Sequence, residues 1–226
     1  MAIPFNIPNV HIVFTEPHGL CDSKALATKD RHECDFADPV EMQCLQQQLN
    51  PKTTTPLQPP DIVRAHLTVS LFPSDTPRRD CDLNRWWCSD KLYRERVRNE
   101  YQRLWQLKQQ GLLQHVYVID LHSFPNTYTG YSVPVTDLVF LDESPPHLRA
   151  PGQRYSQLTE TLANYVRQRT GATVRILQGV FNDIIEEALH SFGHVVDGAV
   201  LVEFNENLTP QQICHIIQTM LQFFQS

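Results

Sequence analysis

The 226-residue chain carries a formal net charge of −6 at pH 7, with 41% hydrophobic and 19% charged residues, a composition that suits one ordinary globular domain with a sizeable core. The acidic balance and a pI near 5.9 argue against a nucleic-acid partner, which would favour a basic field. No apolar run reaches the roughly 18 residues a membrane span needs. The start, MAIPFNIPNV, shows no charged-then-apolar export signal, and the six cysteines form no CxxC pair. They read as reduced thiols of a cytoplasmic protein.

In chain order, His11–Thr15 is a short strand that Pro17 ends, and His18 leaves it at its carboxyl end beside Gly19. Gly19 lets the backbone come close to whatever His18 touches. RHECDFAD (31–38) crowds His32, Glu33, Asp35 and Asp38 together. Asp35 or Asp38 is placed to cap a helix signalled by Pro39 and by Val40, Met42, Cys44 and Leu45. Residues 50–60, with four prolines, are a surface loop or linker within the domain. Ile62–Phe72 reads as one long strand, followed by the arginine-dense RRDCDLNR at 78–85. A helix over about 89–110 places Leu92, Val97, Tyr101 and Leu104 on an apolar stripe, with Arg94, Arg98 and Lys108 on a solvated basic face.

VYVIDLHSFPN (116–126) is an apolar strand running into Asp120 and His122 before a turn. Open α/β sheets place their chemistry past such carboxyl ends, and period-2 spacing points both side chains to one face. A weak strand at 137–141 precedes a helix at 155–170 that stops at Gly171, then a strand at 173–177 and a helix near 183–191. The apolar strand 198–204 carries Glu203 near its end. The closing helix starts at Thr209, with Pro210 at its first position and Gln212 at its third. Ile213, Ile216, Ile217, Met220, Leu221 and Phe224 form its core face. Alternating strands and helices predict one three-layer α/β domain with a mixed central sheet.

His18, Asp35 with its neighbours, His122 and Glu203 thus all fall at strand ends or in the loops beyond them. Two histidines and one carboxylate are the ligand set of an open catalytic zinc site. A carboxylate outside the ligand set can move the proton from water to a leaving amine, and Glu203 is the candidate. Asp120 can orient His122. Arg78 and Asn84-Arg85 would suit a substrate carboxylate, because arginine presents a planar two-pronged donor.

At these residues the chain resembles the N-formylglutamate amidohydrolase family, which is similar in fold to zinc carboxypeptidases and to succinylglutamate desuccinylase and aspartoacylase. EPHG (16–19) resembles the family's first metal-ligand motif and ECDFAD (33–38) its aspartate-centred segment, with Asp35 the best match. RRDCDLNR (78–85) resembles its Arg-x-x-x-Asp-x-Asn-Arg motif, which puts Arg78, Asp82, Asn84 and Arg85 in register. IDLHSFPN (119–126) resembles its second histidine motif, TDLVFLDES (136–144) the following strand and loop, and VLVEFNENL (200–208) the strand bearing its catalytic glutamate.

The resemblance implies a zinc-exopeptidase-like, phosphorylase/hydrolase-like domain spanning 1–226. It implies one Zn2+ ion held by His18, Asp35 and His122, with Glu203 as general base and then acid. Arg85 with Asn84, helped by Arg78, would clamp a small substrate bearing a free carboxylate and stabilise charge near the reacting centre. Position 21 is Cys21, so the His-x-x-Glu pair of the carboxypeptidases is absent and the middle ligand stays open between Asp35, Glu33 and Cys21. The segment 180–193 replaces an expected glycine-rich stretch, which points to an acyl group other than formylglutamate's. The reaction implied is hydrolysis of the linear amide of an N-acyl amino acid. The rivals are a metallo-carboxypeptidase acting on peptides and a catalytically degenerate binding protein of the same fold.

Overall fold

The computed structural model describes residues 9–20, 35, 37–49, 61–64, 67–74, 76, 78, 82, 83, 91–125, 136–179 and 183–225. Its elements are β1 (Val10–Glu16), α1 (Asp38–Leu49), β2 (Asp61–Arg64), β3 (Leu67–Pro73), α2 (Lys91–Gln109), β4 (His115–Phe124) and β5 (Leu138–Asp142). They continue with α3 (Gln157–Thr170), β6 (Val174–Gln178), the short α4 (Asp183–Glu186), β7 (Gly198–Asn205) and α5 (Pro210–Phe223). Among the described residues none forms a helix long and apolar enough to cross a membrane.

Seven strands form one sheet in the order β2-β3-β1-β4-β7-β5-β6. β3, β1, β4 and β7 run parallel, β5 is antiparallel to β7, and β2 is antiparallel to β3, so the sheet is mixed as expected. The single strand expected over 62–72 is instead two, β2 and β3, which pair antiparallel to each other.

Strand alternation sorts the apolar side chains into two cores. Ile12 and Phe14 of β1, Ile119 and Leu121 of β4, and Val200, Val202 and Phe204 of β7 face α1, α3 and α5. Val13, Val116, Val118, Ala199 and Leu201 face α2 and α4 on the other side. Near-continuous apolar strands between two helical layers are what a parallel sheet covered on both faces requires.

The helix ends follow their local chemistry. Thr209 accepts from the Gln212 amide and Gln212 Oε1 accepts from the Thr209 amide, 3.3 and 2.9 Å, closing a capping box on α5. Gly171 ends α3 at φ 72°, the left-handed conformation that glycine adopts without strain.

Two details of α2 differ from expectation. Leu92 is 71% exposed, and Tyr93, fully buried, takes its place in the stripe. The basic face is paired as well as partly solvated, with Arg98 exposed and Arg94 and Lys108 half-buried. Arg94 bonds the Leu83 carbonyl and lies 3.6 Å from Asp183, Arg98 bonds Glu187, and Lys108 bonds the Val195 carbonyl and Asp197.

Cys44 and Cys214 are also not separate reduced thiols. They meet as a disulfide between α1 and α5, with their Cα atoms 5.2 Å apart, inside the range that such a bridge requires.

Candidate metal centre

The parallel strands β1, β4 and β7 end together, and the groups singled out by the sequence gather at that edge. β1 runs into the turn that carries His18. His122 lies in the last turn of pleat in β4, directly beside Glu203 of β7 in the strand register. Asp35, three residues before α1, joins them: its amide donates to the His18 carbonyl at 3.2 Å.

His18, Asp35 and His122 are each at most 5% exposed, and one ligand atom from each lies within 4.8 Å of the others. The two imidazoles meet edge to face, with centroids 4.8 Å apart. Nδ1 of His18 and Nδ1 of His122 both point at Asp35 Oδ2, at 3.2 and 3.1 Å. Their outer nitrogens are engaged by carboxylates: His18 Nε2 lies 2.7 Å from Asp82 and His122 Nε2 2.9 Å from Asp120. Asp120 is itself fixed by Thr15, whose hydroxyl donates to it at 2.5 Å.

This arrangement fits a divalent cation. With each Nε2–H donated to a carboxylate, both neutral imidazoles turn a bare Nδ1 toward an anionic oxygen. Three acceptors facing inward require positive charge between them, either as protons on the rings or as one metal ion. The set of two imidazoles and a carboxylate, each ring steadied by an outer carboxylate, suits a metal ion that keeps an open coordination position.

The electrostatics agree. Burial pushes the Asp35 carboxyl up, but the imidazoles of His18 and His122 outweigh it and hold the group well below the ordinary carboxylate range. Burial pushes His122 down, yet Asp120 and Asp35 overcome that and hold it well above the usual imidazole value.

Asp35 is therefore not a helix cap. α1 starts instead with the Ala37 carbonyl accepting from the Val40 and Glu41 amides. Arg78 is placed differently from a free substrate clamp: its Nη1 donates to Asp35 Oδ1 at 2.9 Å and its Nε lies 3.6 Å from Asp82. It spans two carboxylates of the site. Asn84, Arg85, Glu33 and Cys21 lie outside the described residues. Glu203 is half-buried on the sheet face shared by Asp120 and His122.

Gly19 serves a purpose other than the one expected. A side chain there would overlap the Glu16 carboxylate, so the glycine makes room for a buried acid rather than for a ligand.

Two acids near the centre escaped the sequence reading. Glu16, 3% exposed, ends β1. Burial, with Asp35 and Asp120 adding, raises its pKa well above the usual value. Glu41 in the first turn of α1 is fully buried, and neither of its carboxyl oxygens has a hydrogen-bond partner among the described residues. Its pKa is also raised, by burial first and then by Glu16. Alternation marks Glu16 weakly, since it continues the Ile12–Phe14 face; nothing local marks Glu41.

No family model matches the chain, and no curated protein matches it by sequence. Solved structures do. A candidate metallopeptidase from Shewanella denitrificans is similar at TM-score 0.51 and 13% identity over 99% of this chain and 75% of its own. Tripeptide-bound cell shape determinant Csd4 from Helicobacter pylori is similar at TM-score 0.53 and 12% identity over 96% of this chain and 51% of its own. The fold is zinc-exopeptidase-like. An N-formylglutamate amidohydrolase from Ralstonia eutropha aligns over 95% of this chain and 92% of its own at TM-score 0.49 and 14% identity, too distant a likeness to carry an argument. The chain thus spans about half of Csd4. At these identities the likeness is one of fold, and the buried His18–Asp35–His122 group is this chain's own evidence of a metal site.

Proposed function

We propose that this protein is a zinc-dependent hydrolase that cleaves the amide bond of an N-acyl amino acid or a similar small substrate with a free carboxylate, in the manner of the N-formylglutamate amidohydrolases. The observation that carries this reading is the convergence of two Nδ1 atoms on one Asp35 oxygen, with both outer nitrogens held by Asp82 and Asp120. His18, Asp35 and His122 would hold the ion. When bound, zinc supplies Lewis acidity, lowering the pKa of a water toward about 7 and polarising a carbonyl oxygen.

The chain's own groups do the rest. Glu203, beside His122 in the register, takes a proton from the attacking water and returns it to the departing nitrogen. Asp82 and Asp120 keep the imidazoles in the orientation and tautomer the ion requires. Arg78 steadies Asp35. Arg85 with Asn84 clamps the substrate carboxylate, an assignment that rests on the sequence motif.

A second reading, a carboxypeptidase acting on peptides, is supported by the similarity to Csd4, which was solved with a tripeptide. Both readings use the same residues. Turnover of a panel of N-acyl amino acids and short peptides separates them. Glu203→Gln should retain zinc, measured by elemental analysis, and lose about 10²–10⁴-fold in rate. A Glu203→Gln protein with wild-type turnover would remove its role, and a wild-type protein that takes up no zinc would remove the hydrolase reading.

A further inference from the structure

Asp35 stands three residues before the start of α1. Besides the side-chain bonds of Asp35 to His18, His122 and Arg78, the Asp35 amide donates to the His18 carbonyl and the Ala37 amide to the Ser123 hydroxyl at 3.1 Å. α1 docks mainly on α5. It buries Met42, Cys44, Leu45 and Leu49, but in its first turn it also buries the unpartnered Glu41 carboxyl. An orphaned buried acid works against docking of the helix that carries it.

Cys44 lies one turn beyond Glu41 on the same side of the helix. Its bridge reaches Cys214 near the start of α5, where the Thr209–Gln212 capping box fixes the helix end. A covalent tie between α1 and α5 thus stands nine residues along the chain from the metal-site aspartate.

We propose that the Cys44–Cys214 pair is a redox staple for the metal centre: closed, it holds α1 and therefore Asp35 in place; opened, it lets α1 loosen and weakens metal binding. The proposal rests on the metal reading above. Closure proceeds by thiol–disulfide exchange with a small disulfide such as oxidised glutathione. The two thiols become one S–S bond, and the acceptor leaves as two thiols carrying the two protons. A phosphine with water reverses it, giving two thiols and the phosphine oxide.

The test compares wild-type protein treated with oxidised glutathione, the same protein reduced with a phosphine, and Cys44→Ala/Cys214→Ala. Zinc affinity is read by competition with a chromogenic chelator, and mobility by amide exchange of the 38–49 peptide. Reduction should weaken zinc at least tenfold and speed exchange in α1, and the double variant should match reduced wild-type protein with or without phosphine. Equal affinities in the two redox states, Cys44 and Cys214 found unpaired by peptide mapping after glutathione treatment, or a reductant effect that persists in the double variant would each overturn the proposal. Should no state bind zinc, the metal reading fails by itself, and the exchange of α1 still decides whether the pair acts as a staple.

Discussion

Replacing Glu41 by glutamine should stabilise the protein, increasingly so as pH rises. Glu41 is fully buried on α1 with both oxygens unpartnered. The charged groups that act on it electrostatically are Glu16 on β1, His122 on β4, Asp35 before α1 and Glu203 on β7. Three of the four are acids, so burial and its surroundings both favour the protonated form, and its pKa lies well above the ordinary 4.5. A raised acid holds a proton in the folded chain that the unfolded chain has already lost. Its cost is therefore absent below about pH 4.5 and grows as pH rises, by about 1.4 kcal/mol per unit while the folded group stays neutral. Glutamine keeps the shape and two polar atoms but cannot ionise in the unfolded chain, so Glu41→Gln removes this term alone. Urea unfolding of metal-free protein from pH 5 to 8 measures it. The two proteins should converge near pH 5 and separate steadily above. A variant less stable than wild type, or a difference that does not change with pH, would refute the reasoning and show an ionised, compensated Glu41.

Asp120→Asn should weaken zinc by about 10–100-fold, because it removes the acceptor that holds His122 Nε2 at 2.9 Å; chelator competition reads it. Thr209→Ala opens the capping box on α5, a loss of about 1 kcal/mol and of roughly 2–4 °C in Tm by calorimetry. His11 is buried between Thr68, Ser70 and Glu100, and burial lowers its pKa against the opposing pull of Glu100. A lowered imidazole contributes stability that is present above about pH 6.5 and lost as pH falls below it. His11→Gln should therefore flatten the acid side of the stability curve measured by urea unfolding, and an unchanged slope would show that His11 charges freely in the fold.

Much of the site was legible because its chemistry is confined to short stretches at strand ends. IDLHS places Asp120 and His122 on one face by pleat alone, and EPHG places His18 just past β1. What escaped was long-range. Arg78 looked available for a substrate carboxylate until the fold set it across Asp35 and Asp82. Glu41 sits on a helix of modest amphipathicity, where nothing nearby in the chain marks a buried acid. The cysteine pairing is 170 residues apart in sequence, and spacing alone does not choose a partner over that distance.

The sequence by itself determined the alternation of apolar strands and helices, the caps of α3 and α5, and the identity of the groups placed at the strand ends. These follow from periodicity and from interactions a few residues in range. Only the tertiary structure decided that His18 and His122 share Asp35, that Glu203 stands beside His122, and that the basic face of α2 is paired. Each depends on which strands become neighbours, and that is set by burying both faces of one sheet at once rather than by any local preference of the chain.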